Sequence, residues 1–159
     1  MFHTVETFCL EIASLIEDMK NNYKYQPTSH IYQQLITNSM HLGQHHRAKK
    51  VVNEILKDLD ENRKWFILGG NKGRRLRTSI IDYFAKTRQI EKSLEFMNLL
   101  SNKFGSNILN GASYSAVLSG MALCVRDDKS LLDPAEKIFH QSFKVLGMNK
   151  LFIYKFCCL

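Results

Sequence analysis

The amino-acid sequence predicts an all-α protein of about three helical hairpins that follow a partial first repeat. The main observation is an eight-position pattern that occurs twice with identical internal spacing. The first copy has Tyr32, Leu35, Ile36, Gly43, Ala48, Val51, Val52 and Ile55, and the second has Arg77, Ile80, Ile81, Arg88, Ser93, Phe96, Met97 and Leu100. A degraded third copy has Tyr114, Val117 and Leu118, followed after an insertion by Ala135, Ile138 and Phe139. Such self-similarity is typical of stacked helical repeats, in which each unit buries its apolar face against its neighbours.

Two further observations support the all-α prediction. The chain of 159 residues contains only two prolines, so long helices are unobstructed. Apolar residues recur at helical intervals through most of the chain, and only the terminal segment 151–159 has any strand character. We therefore expect a single helical-repeat domain over residues 1–159.

The first predicted element is a helix over 7–22, which is the second helix of a partial repeat spanning roughly 7–27. Its apolar side chains share one face, and they are Phe8, Ile12, Leu15, Ile16 and Met19. Pro27 disfavours a helical residue before it, so the helix is expected to end there.

The first complete repeat, roughly 29–60, is predicted to be a helical hairpin. Thr28 or Ser29 can cap its first helix, and Gly43 suits the left-handed residue that closes a helix. The second helix is expected over about 44–59, and the short turn makes the pair antiparallel.

The second repeat, roughly 75–101, follows a segment over 61–74 that predicts an enlarged loop. That segment contains Gly69, Gly70 and Gly73. The repeat itself is expected to consist of helices over 76–84 and 89–100.

The third repeat, roughly 112–146, is expected to follow a turn near 107–111 and to contain helices over 113–124 and 133–146. Pro134 suits a first helical position after an Asp133 cap. Residues 147–159 would form a tail or begin another helix. Because isolated solenoids need polar ends, we expect the chain to be part of a longer array.

The repeated positions have a packing explanation. In each hairpin a small residue, Ala48, Ser93 or Ala135, stands where the two helices must approach closely. The larger apolar members would fill the space between hairpins, so all of them are predicted to be core residues.

Composition indicates an anionic partner. Lys and Arg number 22 against 15 Asp and Glu, which gives a formal charge of +7 and a pI near 9.3. Nucleic acid is the first partner to consider for such a chain. The cysteines, Cys9, Cys124, Cys157 and Cys158, lack the spacing of a disulfide framework or a zinc site, which favours a reducing compartment.

No targeting or membrane segment is evident in the sequence. No stretch approaches the roughly 20 apolar residues of a spanning helix, and acidic residues near the start argue against a signal or transit peptide. On this basis alone the protein is expected to be intracellular and soluble.

Catalysis is not indicated. The run from Gly69 to Gly73 lacks phosphate-loop spacing, and no nucleophile elbow or paired carboxylate motif is present. His41 and His45 have the spacing of a metal pair, but Gly43 is expected to break the helix between them. We expect no enzyme activity, cofactor, metal or small-molecule substrate.

The spacing Tyr32-x-x-Leu35-Ile36, then Gly43, then Ala48 and the apolar run to Ile55 resembles the pentatricopeptide repeat family. The third copy, from Tyr114 to Gly120, has the same pattern. The resemblance covers most of residues 10–145. The related tetratricopeptide repeat fits less well, and the second copy departs from the family because arginines replace its aromatic and its turn glycine.

The resemblance implies a right-handed α-α superhelix that binds single-stranded RNA. Members of this family mostly act in mitochondria or chloroplasts, in RNA maturation, stability or translation. The first helices of successive hairpins line a basic concave groove, where phosphates supply affinity and base edges supply sequence preference. The implied localisation for this chain is mitochondrial.

Carried over to this sequence, the family's base-reading positions correspond to Gln33, Thr78 and Ser115, with Asn110 and Thr28 as partner positions. Thr78 with Asn110 matches the adenine-type combination. The positions that flank or stack on a base correspond to His30, Arg75 and Ala112. The alternative for each of these residues, which the sequence favours over a base contact, is an ordinary solvated position.

The strongest cluster of charge precedes the first helix of the second repeat. It consists of Lys72, Arg74, Arg75 and Arg77, of which Arg75 and Arg77 are expected to face phosphate. The alternative is an ordinary solvated loop. The competing function is a protein-interaction scaffold without RNA binding, whose partners would belong to an organellar ribosome or RNA-processing complex.

Overall fold

The computed structural model describes residues 27–60, 65–125 and 127–146, together with Ser14, Asp18 and Asn22. All regular secondary structure in this part of the chain is helical, which confirms the all-α prediction for it. The helices are α1 Ser29–His41, α2 His45–Asp60, α3 Trp65–Leu68, α4 Arg74–Lys86, α5 Ile90–Phe104, α6 Gly111–Val125 and α7 Leu132–Leu146. Single 3₁₀ turns occupy Ser106–Ile108 and Lys129–Leu131.

Two terminal predictions fall mostly outside the described residues. Ser14, Asp18 and Asn22 are helical, and the rest of the helix expected over 7–22 is not described. The segment 147–159 also lies outside. The chain divides into two compact units, Met1–Tyr83 and Phe84–Leu159, which are described separately below.

In the first unit, α1 and α2 form the predicted hairpin. The side chain of Thr28 caps α1 by accepting a hydrogen bond from the amide of Ile31 at 3.5 Å. Ala48 is fully buried, as expected of a small residue at a close helix contact. The apolar core of this unit consists of Ala48 together with Tyr32, Ile36, Val52, Ile55, Leu59, Ile67, Leu68, Leu76, Ile80, Ile81 and Tyr83.

The turn after α1 is a Schellman motif. The amide of Gly43 donates to the carbonyl of Met40 at 3.1 Å, and the amide of Gln44 donates to the carbonyl of Ser39 at 2.8 Å. Gly43 has φ +68°, so the prediction of a left-handed closing residue is confirmed.

The turn after α4 repeats this geometry in the second unit. The amide of Arg88 donates to the carbonyl of Ala85 at 3.1 Å, and that of Gln89 donates to Phe84 at 2.8 Å. Arg88 has φ +59° and is the non-glycine residue with positive φ in the described part of the chain. The sequence alignment that places Arg88 opposite Gly43 therefore matches two turns of the same kind.

The second unit contains α5, α6 and α7, and α6 and α7 pack against each other. A Cβ atom on Gly120 would lie 2.7 Å from the Cβ of Ala85, so α6 needs a glycine where it crosses the end of α4. The core of this unit consists of Phe84, Ala85, Ile90, Ser93, Phe96, Met97, Leu100, Leu109, Tyr114, Val117, Met121 and Cys124. Ala135 is only half-buried, unlike its counterparts Ala48 and Ser93.

The predicted start of α7 is correct to within one residue, but the predicted cap is wrong. Asp133 is not a cap, because the helix begins at Leu132 and follows directly from the 3₁₀ turn. The cap of that turn is Asp128, whose carboxylate accepts a hydrogen bond from the amide of Ser130 at 2.9 Å. Hydrogen bonding from Ser130, first from its side chain and then from this amide, holds the pKa of Asp128 below its usual value. Pro134 is tolerated in the first turn of α7, where backbone amides have no helical partner.

Candidate nucleic-acid interface

Arg77 lies inside the first unit and not on its surface. Only 3% of the residue is exposed, and its Nη1 donates to the carbonyls of Leu68 and Gly70, the latter at 3.0 Å. Burial, followed by the charge of Arg74, lowers the pKa of Arg77. The expectation that Arg77 faces phosphate is therefore wrong. Its guanidinium instead satisfies carbonyls at the end of α3, which have no helical partner.

The segment between α2 and α4 is more ordered than the loop we expected. Its first described residues form the single turn α3, and the amide of Gly73 donates to the carbonyl of Gly69 at 3.2 Å. A Cβ atom on Gly73 would lie 2.5 Å from the carbonyl oxygen of Leu68 and 2.7 Å from that of Ile67. Residue 73 must therefore be glycine for the segment to close on itself.

Three cations remain exposed on this closed segment. They are Lys72, Arg74 and Arg75, which we call the basic cluster. No ion pair joins them to another side chain in the described residues. Arg74 and Arg75 occupy the first turn of α4, which contains no acidic residue. Because the start of a helix favours negative charge, the cluster and the helix both favour an anion here.

The basic cluster is fixed to the start of α1. The hydroxyl of Ser29 donates to the carbonyl of Lys72 at 3.2 Å. His30 is the next residue of α1 and is exposed. The structure therefore brings His30 close to the backbone of the basic cluster, and the sequence predicted both as parts of one surface.

Phe66 is a surface aromatic that the sequence analysis did not single out. It belongs to α3, and 72% of the residue is exposed. The signal that could have found it is an aromatic pair, Trp65 and Phe66, directly before a glycine-rich basic segment. Aromatic residues interleaved with basic residues are typical of surfaces that bind single-stranded nucleic acid.

Gln33 is engaged in a polar chain between α1 and α4. Its Nε2 donates to the hydroxyl of Thr37 at 3.2 Å, and that hydroxyl lies 3.4 Å from the hydroxyl of Ser79. The Oε1 of Gln33 is buried and has no hydrogen-bond partner within the described residues. Gln33 is half-buried, so only part of its side chain is accessible for base reading.

Thr78 and Asn110 also make local hydrogen bonds. The hydroxyl of Thr78 donates to the carbonyl of Arg74 at 3.1 Å. Asn110 caps α6, because its Oδ1 accepts hydrogen bonds from the amide of Ser113 at 3.0 Å and from the hydroxyl of the same residue at 3.4 Å. Thr78 belongs to the first unit and Asn110 to the second, and each is half-buried.

Thr28, Ser115 and Ala112 complete the set of expected base contacts. The hydroxyl of Thr28 is the cap of α1. Ser115 lies half-buried on α6, and Ala112 is exposed one turn earlier on the same helix. Of the predicted reading positions, Ser115 is the one whose side chain makes no hydrogen bond among the described residues, whereas Gln33, Thr78 and Asn110 are each partly engaged.

The second unit contains an open cleft of about 520 Å³ in which acidic residues outnumber basic ones, three to two. Its charged lining residues are Arg88, Glu91, Lys92, Asp127 and Asp128. Arg88 donates to the carboxylate of Asp127 at 2.6 Å, and both side chains are exposed. The cleft therefore lacks the uncompensated positive charge of the basic cluster.

The described residues contain no group of three or more His, Cys, Asp and Glu side chains arranged to hold a metal ion. Within the same residues, no helix has both the length and the apolar character needed to cross a bilayer.

The chain as a whole was compared with known proteins. It matches no protein-family model, no curated protein and no solved structure.

Proposed function

We propose that this protein is a pentatricopeptide-repeat-like module that binds single-stranded RNA, in a mitochondrial factor for RNA maturation, stability or translation. The observation that carries the proposal is the basic cluster. Lys72, Arg74 and Arg75 are exposed, lack carboxylate partners among the described side chains, and stand on a segment that Arg77 and Gly73 hold closed. Fixed cations of this kind bind phosphates and release counterions, which gives salt-sensitive affinity.

The proposed architecture is a right-handed superhelix of helical hairpins. Support comes from the two Schellman turns, which fall at the same repeat position and share the same hydrogen bonds. Further support comes from Ala48 and Ser93, which are both fully buried at the corresponding place in the second helix of each pair. In this arrangement the first helices of the hairpins carry the RNA-facing residues.

We assign most of the affinity to phosphate contacts and less to base reading. Gln33, Thr78 and Asn110 use hydrogen-bonding groups within the protein, which leaves Ser115, the Nδ2 of Asn110 and the lone pairs of the Thr78 hydroxyl for bases. The expected behaviour is binding to many single-stranded RNAs with a modest sequence preference.

The test is a titration of the full chain with a random pool of single-stranded RNA at about 50 mM and about 200 mM salt. A triple variant, Lys72→Gln with Arg74→Gln and Arg75→Gln, removes the basic cluster. The matched control, Lys49→Gln with Lys50→Gln and Lys57→Gln, removes the same charge from exposed positions on α2.

The cluster variant should bind much more weakly than the control, and its salt slope should be shallower by about 2, from about 0.7 per lost phosphate contact. Absence of binding by the wild-type chain at the lower salt concentration would reject the function. Equal weakening in both variants would reject the cluster as its location and leave only an effect of net charge.

A protein-interaction scaffold is the second candidate. The second unit exposes Leu99, Leu123 and Leu132, and this candidate requires that a protein partner covers them. This candidate predicts a partner protein that co-purifies with the chain and stays bound after ribonuclease treatment, and that is lost when the three leucines are changed to serine.

A further inference from the structure

The aromatic ring of Phe66 is exposed on a short helix whose next residues are buried. Phe66 is 72% exposed, whereas the next two residues of α3, Ile67 and Leu68, are buried. The two buried side chains anchor the backbone of this short helix, so the backbone at Phe66 needs no rearrangement when a ligand packs on the ring.

The backbone after Phe66 turns back on itself immediately. The carbonyls of Ile67 and Leu68 contact Gly73, and the buried Arg77 binds the carbonyl of Leu68. In the sequence, Phe66 directly precedes Ile67, and Arg74 directly follows Gly73. The exposed ring and the basic cluster thus belong to one closed piece of backbone.

The chemistry of this surface favours single-stranded nucleic acid over a protein partner. An exposed aromatic ring on the same closed segment as several cations matches the alternation of base and phosphate along a single strand. An apolar protein surface would meet one ring with no second exposed large apolar residue on this segment, because Ile67 and Leu68 are buried. The charge of Lys72, Arg74 and Arg75 is complementary to phosphate.

We propose that Phe66 is a stacking platform for one base of a single-stranded RNA whose neighbouring phosphates are bound by the basic cluster. The inference rests on the proposed function and adds to it a contact from the segment between two repeats, outside the positions implied by the repeat resemblance. Stacking on Phe66 accepts any base, since every base has a π-face.

The experiment uses the full chain and a uridine oligonucleotide of about 16 nucleotides. This length is at least that of the site that one single-strand-binding domain usually covers. Three variants are compared with the wild type. Phe66→Leu keeps an apolar side chain but removes the ring, and Phe66→Tyr keeps the ring. Leu123→Ala is the matched control, because it shortens an exposed apolar residue in the other unit.

Binding is followed in two ways, by anisotropy of the labelled oligonucleotide and by the fluorescence of Trp65. Trp65 is the only tryptophan of the chain and adjoins Phe66, so its emission reports on this segment. Circular dichroism of each variant checks that the fold is retained.

Phe66→Leu should weaken binding about tenfold, in line with the range for loss of one stacked base, with the same salt slope as the wild type because no phosphate contact is lost. Phe66→Tyr and Leu123→Ala should bind within about twofold of the wild type, and Trp65 emission should change on binding.

Wild-type affinity in Phe66→Leu would overturn the stacking contact while leaving RNA binding intact. So would a loss in Phe66→Tyr as large as in Phe66→Leu, since tyrosine stacks equally well. If the wild-type chain itself does not bind, the proposed function fails, which is a separate result. If Phe66→Leu releases a ribonuclease-resistant protein partner and leaves oligonucleotide binding unchanged, the ring serves a protein contact and the inference is overturned.

Discussion

Tyr32 and Arg77 occupy the same position of the repeat and are both buried, but they hold different parts of the first unit together. The hydroxyl of Tyr32 donates to the carboxylate of Glu54 at 2.9 Å, which joins α1 to α2 within one hairpin. Arg77 instead binds the carbonyls of Leu68 and Gly70, which joins α4 to the segment that precedes it. The replacement of an aromatic by arginine therefore accompanies the longer connection, because Arg77 donates to two carbonyls and a tyrosine hydroxyl has one donor.

This difference explains how the basic cluster stays in place. A loop of this length would be mobile if it had no interior contacts. Arg77 supplies such a contact from within the core, and Gly73 allows the backbone to close. We infer that the side chain that departs most from the repeat pattern is the one that positions the surface we propose for RNA.

Among the substitutions that test this difference, Arg77→Met is expected to have the largest effect on stability. Methionine fills the space but leaves the carbonyls of Leu68 and Gly70 without their donor, so the free energy of unfolding should fall by about 3 kcal/mol. Urea unfolding followed by Trp65 fluorescence measures this. A loss below about 0.5 kcal/mol, the usual range for a surface change, would show that Arg77 does not hold the segment.

Gly73→Ala tests the closure of the segment at the glycine that approaches the carbonyls of Ile67 and Leu68. The added Cβ would meet backbone carbonyls that cannot rotate away, so we expect a loss of about 2 kcal/mol in thermal or urea unfolding. RNA affinity should fall with it. The account of the closed segment would be contradicted by a variant as stable as the wild type.

Tyr32→Phe should cost less, about 1.5 kcal/mol, because one hydrogen bond to Glu54 is lost and the ring still fills the core. The same residue gives a pH dependence. Burial, and then the charge of Glu54, raises the pKa of Tyr32 far above its usual value. Its contribution to stability is complete below the unfolded pKa of about 10 and is lost as the pH rises above that value.

The loss of stability at alkaline pH is measured by urea unfolding at a series of pH values. It should be smaller in Tyr32→Phe than in the wild type. The same dependence of the free energy of unfolding on pH in both proteins would show that Tyr32 does not titrate as its surroundings imply. Tyr114, at the corresponding position of the third copy, also has a pKa raised by burial and provides the internal comparison.

The smallest effects are expected at the two Schellman turns. Gly43→Ala places a Cβ at φ +68° and should destabilise by about 1 kcal/mol. Arg88→Gly relieves the same strain at φ +59° and should change stability by no more than about 1 kcal/mol, in the stabilising direction. Opposite signs in thermal unfolding would confirm that the turns are equivalent, and a destabilised Arg88→Gly would show that its ion pair with Asp127 matters more than the strain.

The helices and most of the core could be predicted from the sequence. Apolar spacing located the hairpins to within a few residues, and Gly43 marked its turn because a left-handed residue favours glycine. Periodicity also identified Ile36, Val52 and Ile81 as buried. These features depend on local geometry, which neighbouring residues determine.

The role of Arg77 could not be predicted in the same way. A charged residue in a basic run is usually at the surface, and its partners here are backbone carbonyls, which have no signature in the sequence. Asn110 was given a role in base reading although its carbonyl oxygen caps α6, a role that the predicted helix start at residue 113 concealed. Phe66 was missed because exposure depends on which side of a short helix the tertiary structure covers.

The most direct test of the central claim is the salt dependence of RNA binding by the wild-type chain and by the triple variant that lacks Lys72, Arg74 and Arg75. We predict that the wild type binds the single-stranded pool at about 50 mM salt, and that the variant binds weakly with a slope lower by about 2. Identical affinity and slope in the two proteins would contradict the account.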